Sequence, residues 1–233
     1  MRKIIILLIM MPIFLFSQTE IPKSDNILHY HEYSIEYSEQ YKLAIWSAYA
    51  FTESECINNY KRQSTFHNDM RVDNKVTDSD YRVSGYDRGH LTPIANFRFE
   101  YDAMIETNFY TNICPQTPSF NRGIWRRLEN QVRRWVLEYD TLFIVSGPLL
   151  NENNKTIGND LIVPEMYYKV IVFVKDGQYK SIAFLIPNKK SDIDIFKYQV
   201  TIDYIETLTG VDFFYKLPDN IENELELKNT LNE

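Results

Sequence analysis

Two polar runs hold the side chains best suited to chemistry. The tetrad Asp87–His90 lies in SGYDRGHLTPIANF, and a second run, TNICPQTPSFNRGIWRRLEN, follows at residues 111–130. The first run places a histidine, which titrates near neutral pH, two residues after an arginine, whose forked donors match phosphate oxygens. The second run offers amide and carboxylate oxygens, which hard metal ions prefer. Together these residue types indicate metal-assisted hydrolysis of a phosphodiester.

The tasks of that reaction suggest a role for most of the tetrad. A phosphodiester is anionic and repels hydroxide, so a hydrolase must activate water and neutralise the charge that develops on the phosphate. His90 could accept the proton of the attacking water, a step that contributes about 10²- to 10⁴-fold in rate. Arg88 would bind phosphate oxygens. Gly89 would let the backbone approach a ligand closely or adopt a positive φ.

A helix is expected just after Asn121. Apolar residues recur at every fourth position of this segment, at Ile124, Leu128, Val132 and Val136. This spacing is typical of an amphipathic helix. Glu129 follows Asn121 by a rise of roughly 12 Å along a straight helix, so a role through water suits it better than direct ligation of the same ion. A surplus of positive charge suited to a polyanion comes from Arg122, Arg126, Arg127, Arg133 and Arg134.

The two runs together resemble the DNA/RNA non-specific endonuclease family, the ββα-metal, endonuclease G-like nucleases. The resemblance covers roughly residues 42–218. It begins at AIWSAYAFT, passes through RQSTFHND and both polar runs, and continues to PEMYYKVIV and ETLTGVDFFYKLPD. It implies an endonuclease that cuts DNA and RNA with little sequence preference and leaves 5′-phosphates.

The resemblance also implies a role for each matching residue. His90 would be the general base, and Asn121 would be the protein ligand of a magnesium ion, with manganese as the alternative ion. Glu129 would hold metal-bound water, and Arg62 and Arg88 would neutralise the phosphate. Supporting or substrate-binding positions would be Asp87, Asn112, Gln116 and Arg126.

Each residue also has a structural interpretation. Asn121 is a good helix N-cap, Glu129 could pair with Arg133 one turn later, and Asp87 could only orient its turn. A lone histidine such as His90 is more often a surface or satisfied polar residue. The alternatives at the level of function are an inactive nucleic-acid-binding protein of the same fold, another metal-assisted phosphodiesterase, and a cysteine-type hydrolase using Cys114.

The predicted fold class is α+β, with a central, mostly antiparallel sheet and the ββα motif that the resemblance implies. Residues 141–147 predict a buried strand, and two apolar segments around Asp176 and Gly177 predict a hairpin. Ile202, Ile205 and Leu208, with Gly210 just beyond, predict a short helix and its end. Residues 19–233 are long enough for one domain.

The first 18 residues are predicted to be a secretory signal peptide. Arg2 and Lys3 precede the apolar run Ile4–Phe16, which is short for a membrane span and typical of a signal. We therefore expect an exported, periplasmic or secreted protein without a membrane segment in its mature form. The residues before position 18 lack the small-x-small cleavage pattern, so an uncleaved anchor remains an alternative.

The formal net charge of −7 argues against a general nucleic-acid coat protein. Residues 219–233 hold five acids against Lys228, whereas residues 82–134, which contain the motifs, hold eight arginines and five acids. Binding of nucleic acid should therefore be weak and steeply salt-dependent. Cys56 and Cys114 could form a disulfide or remain two free thiols.

Overall fold

The computed structural model describes residues 19–231, so the predicted leader at residues 1–18 lies outside the described residues. The strands of this part of the chain are β1 (Ile27–His29), β2 (Ser34–Ser38), β3 (Leu43–Phe51), β4 (Asp87–His90), β5 (Ile113–Gln116), β6 (Thr141–Pro148), β7 (Thr156–Ile157), β8 (Leu161–Ile162), β9 (Met166–Lys175), β10 (Gln178–Pro187) and β11 (Gln199–Val200). The helices are α1 (Asp78–Tyr81), α2 (Tyr101–Glu106), α3 (Arg126–Trp135), α4 (Ile202–Thr209) and α5 (Asp219–Leu227).

A large antiparallel sheet organises the described chain. Its strand order is β1-β2-β3-β6-β9-β10-β11, and each neighbouring pair is antiparallel. One face packs against α3, and the other packs against α4 and α5. Because both faces are covered, β9 is apolar along almost its whole length, where a half-exposed strand would alternate with polar residues.

The predicted elements of the sheet are confirmed. The strand expected at residues 141–147 is β6, and the expected hairpin is β9 and β10 joined through Asp176 and Gly177. Both turn residues have positive φ, 50° and 74°, as a two-residue hairpin turn requires. The short helix is α4, and Gly210 ends it in the left-handed conformation. The α+β fold class with a mostly antiparallel sheet is therefore correct.

The ββα motif is formed by β4, β5 and α3. Strands β4 and β5 pair antiparallel, with Asp87 opposite Gln116 and His90 opposite Ile113. A π-helical segment, Phe120–Trp125, leads into α3 and is broken at Gly123, which has φ −103° and ψ −109°. The helix predicted just after Asn121 is thus present but interrupted. A straight-helix distance between Asn121 and Glu129 does not apply across this break.

Helix α3 packs on the sheet through its apolar stripe. Leu128, Val132 and Trp135 are buried, and they join the core on that face of the sheet. The opposite side of α3 carries most of its arginines and is open to solvent. Among the described residues, no helix is both long enough and apolar enough to cross a membrane.

Candidate active site

A cavity of about 450 Å³ lies where the ββα motif meets the segment before α1. Its lining includes seven of the nine predicted site residues, namely Arg62, Asp87, Arg88, His90, Asn121, Arg126 and Glu129. Arg122 and Arg133 also line it, so arginines outnumber the carboxylates of Asp87 and Glu129. The charge excess matches an anionic ligand.

His90 is held in a defined orientation at the end of β4. Its Nε2 lies 2.9 Å from Asn108 Oδ1, and Asn108 Nδ2 donates to the Gln63 carbonyl at 3.4 Å. Because the amide nitrogen is used on Gln63, the amide oxygen faces the ring and accepts the Nε2 proton. The neutral imidazole therefore carries its lone pair on Nδ1, so Nδ1 is the atom that can accept a proton.

The surroundings of His90 keep it neutral. The pKa of its imidazole is lowered to about 4, mainly by burial and also by the positive charges of Arg62 and Arg88, while the bond to Asn108 acts in the opposite direction. A desolvated imidazole close to two guanidinium groups resists a further positive charge. At neutral pH the ring is therefore in the form that can act as a base.

Asn121 is oriented by Asp87. The Asn121 Nδ2 group donates to Asp87 Oδ2 at 2.9 Å, and Arg122 donates to both Asp87 oxygens at 2.8 and 2.6 Å. Asn121 is not a helix N-cap, because the helical segment begins before it and Thr117 Oγ1 accepts the Phe120 N–H at 3.3 Å. Among the described residues, no hydrogen bond to Asn121 Oδ1 is found. That oxygen is available to a ligand.

Glu129 lines the cavity without an ion-pair partner within 4 Å in the described chain. Burial raises the pKa of its carboxyl, and nearby cations, Lys169 first, act against this rise. The alternative pairing with Arg133 is not found, because Arg133 donates instead to Asn96 Oδ1 at 3.0 Å and to Asn130. The carboxylate of Glu129 is thus free to act on water in the cavity.

The predicted phosphate-binding arginines differ in how they are held. Arg88 forms an ion pair with Asp78 and lies over the Phe66 ring at 4.4 Å. Arg62 and Arg126 are exposed, and no side-chain hydrogen bond or ion pair is found for either in the part of the chain that the structure describes. Arg88 is therefore fixed in advance, whereas Arg62 and Arg126 are free to adjust to a ligand.

The chain is similar in sequence to known nucleases. The family model for DNA/RNA non-specific endonucleases matches residues 14–220. The chain belongs to the DNA/RNA non-specific endonuclease family. It is 30% identical over 223 residues to a nuclease of Nostoc sp., covering 90% of this chain and 81% of that protein.

Mitochondrial relatives and a solved structure extend the likeness. The chain is 31% identical over 169 residues to mitochondrial endonuclease G of Homo sapiens, and this match covers 66% of the chain but only 57% of the human protein. A structure of EndoG in complex with EndoGI, concerned with EndoG inhibition, superposes with a TM-score of 0.79 at 28% identity, covering 86% of this chain and 90% of that chain. The endonuclease family resemblance and the fold are confirmed.

Two predicted supporting residues of this family member lie outside the cavity lining. Asn112 is fully buried; its side chain accepts the Thr92 N–H at 2.9 Å and donates to the Thr92 and Thr107 carbonyls at 2.9 and 2.8 Å. It therefore joins the chain after β4 to the end of α2. Gln116 is also fully buried, and neither its Nε2 nor its Oε1 has a hydrogen-bond partner within residues 19–231.

Gly89 is required for packing against Gln116. Its φ is not positive, and a Cβ atom at this position would lie 2.2 Å from the Gln116 side chain. The expectation of a positive φ is therefore wrong, whereas a close approach of the backbone to a ligand stays a prediction. The group that excludes a side chain at Gly89 is the side chain of Gln116 on the paired strand β5.

Both cysteines are free thiols in the structure. Cys114 is fully buried on β5, and burial raises the pKa of its thiol far above the usual range. A nucleophilic cysteine needs a lowered pKa and access to substrate. The cysteine-type hydrolase alternative therefore has no support from the geometry.

Asn108 is the contact of His90 that the sequence did not reveal. It lies in the segment after α2, 18 residues beyond His90. No local pattern marks it, because an asparagine between a helix and a strand usually serves a turn. Only the folded arrangement brings it to the imidazole.

Proposed function

We propose that this protein is a metal-dependent endonuclease that hydrolyses phosphodiester bonds of DNA and RNA with little sequence preference. The observation that carries the proposal is the pairing, in one arginine-lined cavity, of a neutral His90 and an Asn121 whose Oδ1 is unused. A base and a hard-metal ligand facing the same anion-attracting space suit phosphodiester hydrolysis. The lining side chains favour phosphate, which is common to DNA and RNA.

His90 would take a proton from the attacking water through Nδ1. The bond from Nε2 to Asn108 fixes both the tautomer and the ring plane, and the Trp125 indole N–H donates to the His90 carbonyl at 3.3 Å. A base fixed in this way loses little orientational freedom when substrate binds. Arg88, Arg62 and Arg126 would bind phosphate oxygens and neutralise their charge.

The residues fit a divalent ion, which we propose to be magnesium, with manganese as the alternative. Asn121 Oδ1 would be the direct protein ligand, and the Glu129 carboxylate would hold a water next to the ion. Magnesium retains several waters and asks for few protein oxygens, so this sparse donor set suits it. When bound, the ion would stabilise the charge of the transition state and the leaving oxygen.

We further propose that residues 1–18 direct export to the periplasm or the medium. The relatives named above are bacterial or mitochondrial proteins, so the destination is an inference from the apolar leader alone. DNA and RNA are the proposed substrates. An inhibitor protein acting on the nuclease is a partner suggested by the complex known for EndoG.

The test is cleavage of plasmid DNA and of a structured RNA by the wild-type protein and by His90→Ala. We expect cutting of both substrates with magnesium, none with a chelator, and a loss of about 10²- to 10⁴-fold for His90→Ala. His29→Ala is the matched control, because His29 is exposed and lies outside the cavity. Binding without cutting would favour the inactive nucleic-acid-binding alternative, and cutting in the chelator would refute the metal-dependent mechanism.

A further inference from the structure

A lysine is fully buried beneath the candidate active site. Lys169 lies in the middle of β9 and has no exposed surface. Its neighbours on the same face of the strand, Tyr167 and Ile171, belong to the apolar core under α3. Lysine is almost never fully buried unless it is paired, because the ammonium loses its hydration. The presence of a fully buried lysine in an apolar layer therefore needs a structural or functional explanation.

The ammonium contacts two groups between the sheet and the helix. Lys169 Nζ donates to Ser146 Oγ on the adjacent strand β6, directly opposite in register. It also lies 4.6 Å from the centre of the Trp125 ring. Trp125 is the residue whose indole N–H reaches the His90 carbonyl. Lys169 is therefore connected to the cavity through Trp125, the residue directly before α3.

Glu129 is the carboxylate that acts on this buried charge. It follows Trp125 by four positions, so the two side chains lie on the same face of the helix. Burial lowers the pKa of Lys169 to about 8, and Glu129 is the acidic group that opposes this fall. Among the cations that act on Glu129, Lys169 has the largest effect, ahead of Arg133, Arg62 and Arg126.

We propose that Lys169 is a positioning residue of the active site, whose buried ammonium supplies the countercharge that keeps the Glu129 carboxylate at the cavity wall. The inference rests on the proposed nuclease function and deepens it. Lys169 does not line the cavity, so it acts through Glu129. For core packing alone, an apolar residue would avoid the cost of desolvating the ammonium.

The test separates activity from stability with Lys169→Met, which keeps most of the length of the side chain and removes the charge. We expect kcat for DNA cleavage to fall about tenfold or more, with KM within about twofold. Circular dichroism should show that the variant is still folded at the assay temperature, even where the loss of the countercharge lowers its thermal stability. Lys175→Met is the matched control. Lys175 lies on the same strand, but it is exposed and its Nζ donates to the Glu138 carbonyl.

A double-mutant cycle tests whether Lys169 acts through Glu129. In the Glu129→Gln background, adding Lys169→Met should change kcat by less than about twofold, because the carboxylate that the lysine serves is already gone. If the reductions in kcat from the two single substitutions multiply in the double variant, the proposal is overturned. A Lys169→Met variant with wild-type kcat, or one whose lost activity follows lost stability, would also overturn it.

A second readout needs neither metal nor substrate. In the metal-free protein, the carboxyl resonance of Glu129, identified by its absence in Glu129→Gln, should titrate about one pH unit or more higher in Lys169→Met than in wild type. Lys175→Met should leave it unchanged. An unmoved resonance would overturn the proposal for Lys169. Failure of the wild-type protein to cut nucleic acid would instead overturn the proposed function, while the titration would still decide the coupling.

Discussion

Replacing Asn108 by aspartate should move the pH range in which this nuclease works. Asn108 Oδ1 accepts the Nε2 proton of His90 at 2.9 Å, and aspartate would keep the shape of the contact while adding a negative charge. The neutral tautomer would be the same, with its lone pair on Nδ1. The base would therefore survive the substitution, and only its proton affinity would change.

The size of the shift follows from the contact. An opposite charge within hydrogen-bond reach raises the pKa of an imidazole by roughly 1 to 3 units. Starting from a pKa of about 4 for His90, the variant should titrate between about pH 5 and pH 7. Because the protonated ring cannot act as a base, a two-unit shift should cost about tenfold in kcat/KM near pH 5 and little near pH 8.

The assay is kcat/KM on a short oligonucleotide between about pH 4 and pH 9 at fixed ionic strength. Asn130→Asp is the matched control, because Asn130 lines the same cavity and gains the same charge without contacting His90. An imidazole titration followed by NMR gives the pKa directly, since the chain has only 4 histidines. If kcat/KM falls at the same acidic pH in Asn108→Asp and in Asn130→Asp, the role of Asn108 is refuted. If the kcat/KM of the wild-type protein already falls near the ordinary pKa of histidine, the proposed lowering of the pKa of His90 by burial and the two arginines is refuted.

Three further changes test the site and the core. Gly89→Ala should lower the free energy of unfolding by about 1 to 3 kcal/mol, because the new Cβ meets Gln116; urea denaturation should show that Gln116→Ala in the same chain restores most of the loss. Asn121→Ala should raise the magnesium concentration for half-maximal cleavage by about 10- to 100-fold or more, since it removes the proposed ligand; circular dichroism should show an intact fold, and an unchanged metal requirement would contradict the assignment. Phe173→Ala should cost about 3 to 5 kcal/mol in urea denaturation, since the ring is fully buried and lies 5.3 Å from Trp135; a cost below about 1 kcal/mol would mean that the core between β9 and α3 is loosely packed.

Part of this fold could be predicted because the deciding signals are local. The turn at Asp176 and Gly177 and the helix end at Gly210 depend on backbone conformations that few residues adopt. The strands β6 and β9 are largely apolar runs of a length typical of buried strands. The interruption at Gly123 was not predicted, because apolar spacing shows which face of a helix is buried and gives no sign of a break within its first turns.

The candidate site could also be predicted only in part. The sequence by itself determined which residue types are present, since the tetrad and the asparagine run carry a base, arginines and metal-ligand oxygens at a recognisable spacing. Seven of the nine predicted site residues line one cavity. Asn112 and Gln116 instead pack beside it, because motif membership does not tell which side of a strand or turn a side chain occupies.

Only the tertiary structure decided what each functional group can do. Asp87 turns the Asn121 amide across 34 residues of sequence, and Asn108 sets the His90 tautomer across 18. Lys169 looks in the sequence like a single polar interruption of an apolar strand. Its charge becomes important because the sheet and α3 exclude water around it and bring Glu129 near. Desolvation and long-range pairing are properties of the packed chain, and they have no local pattern in the sequence.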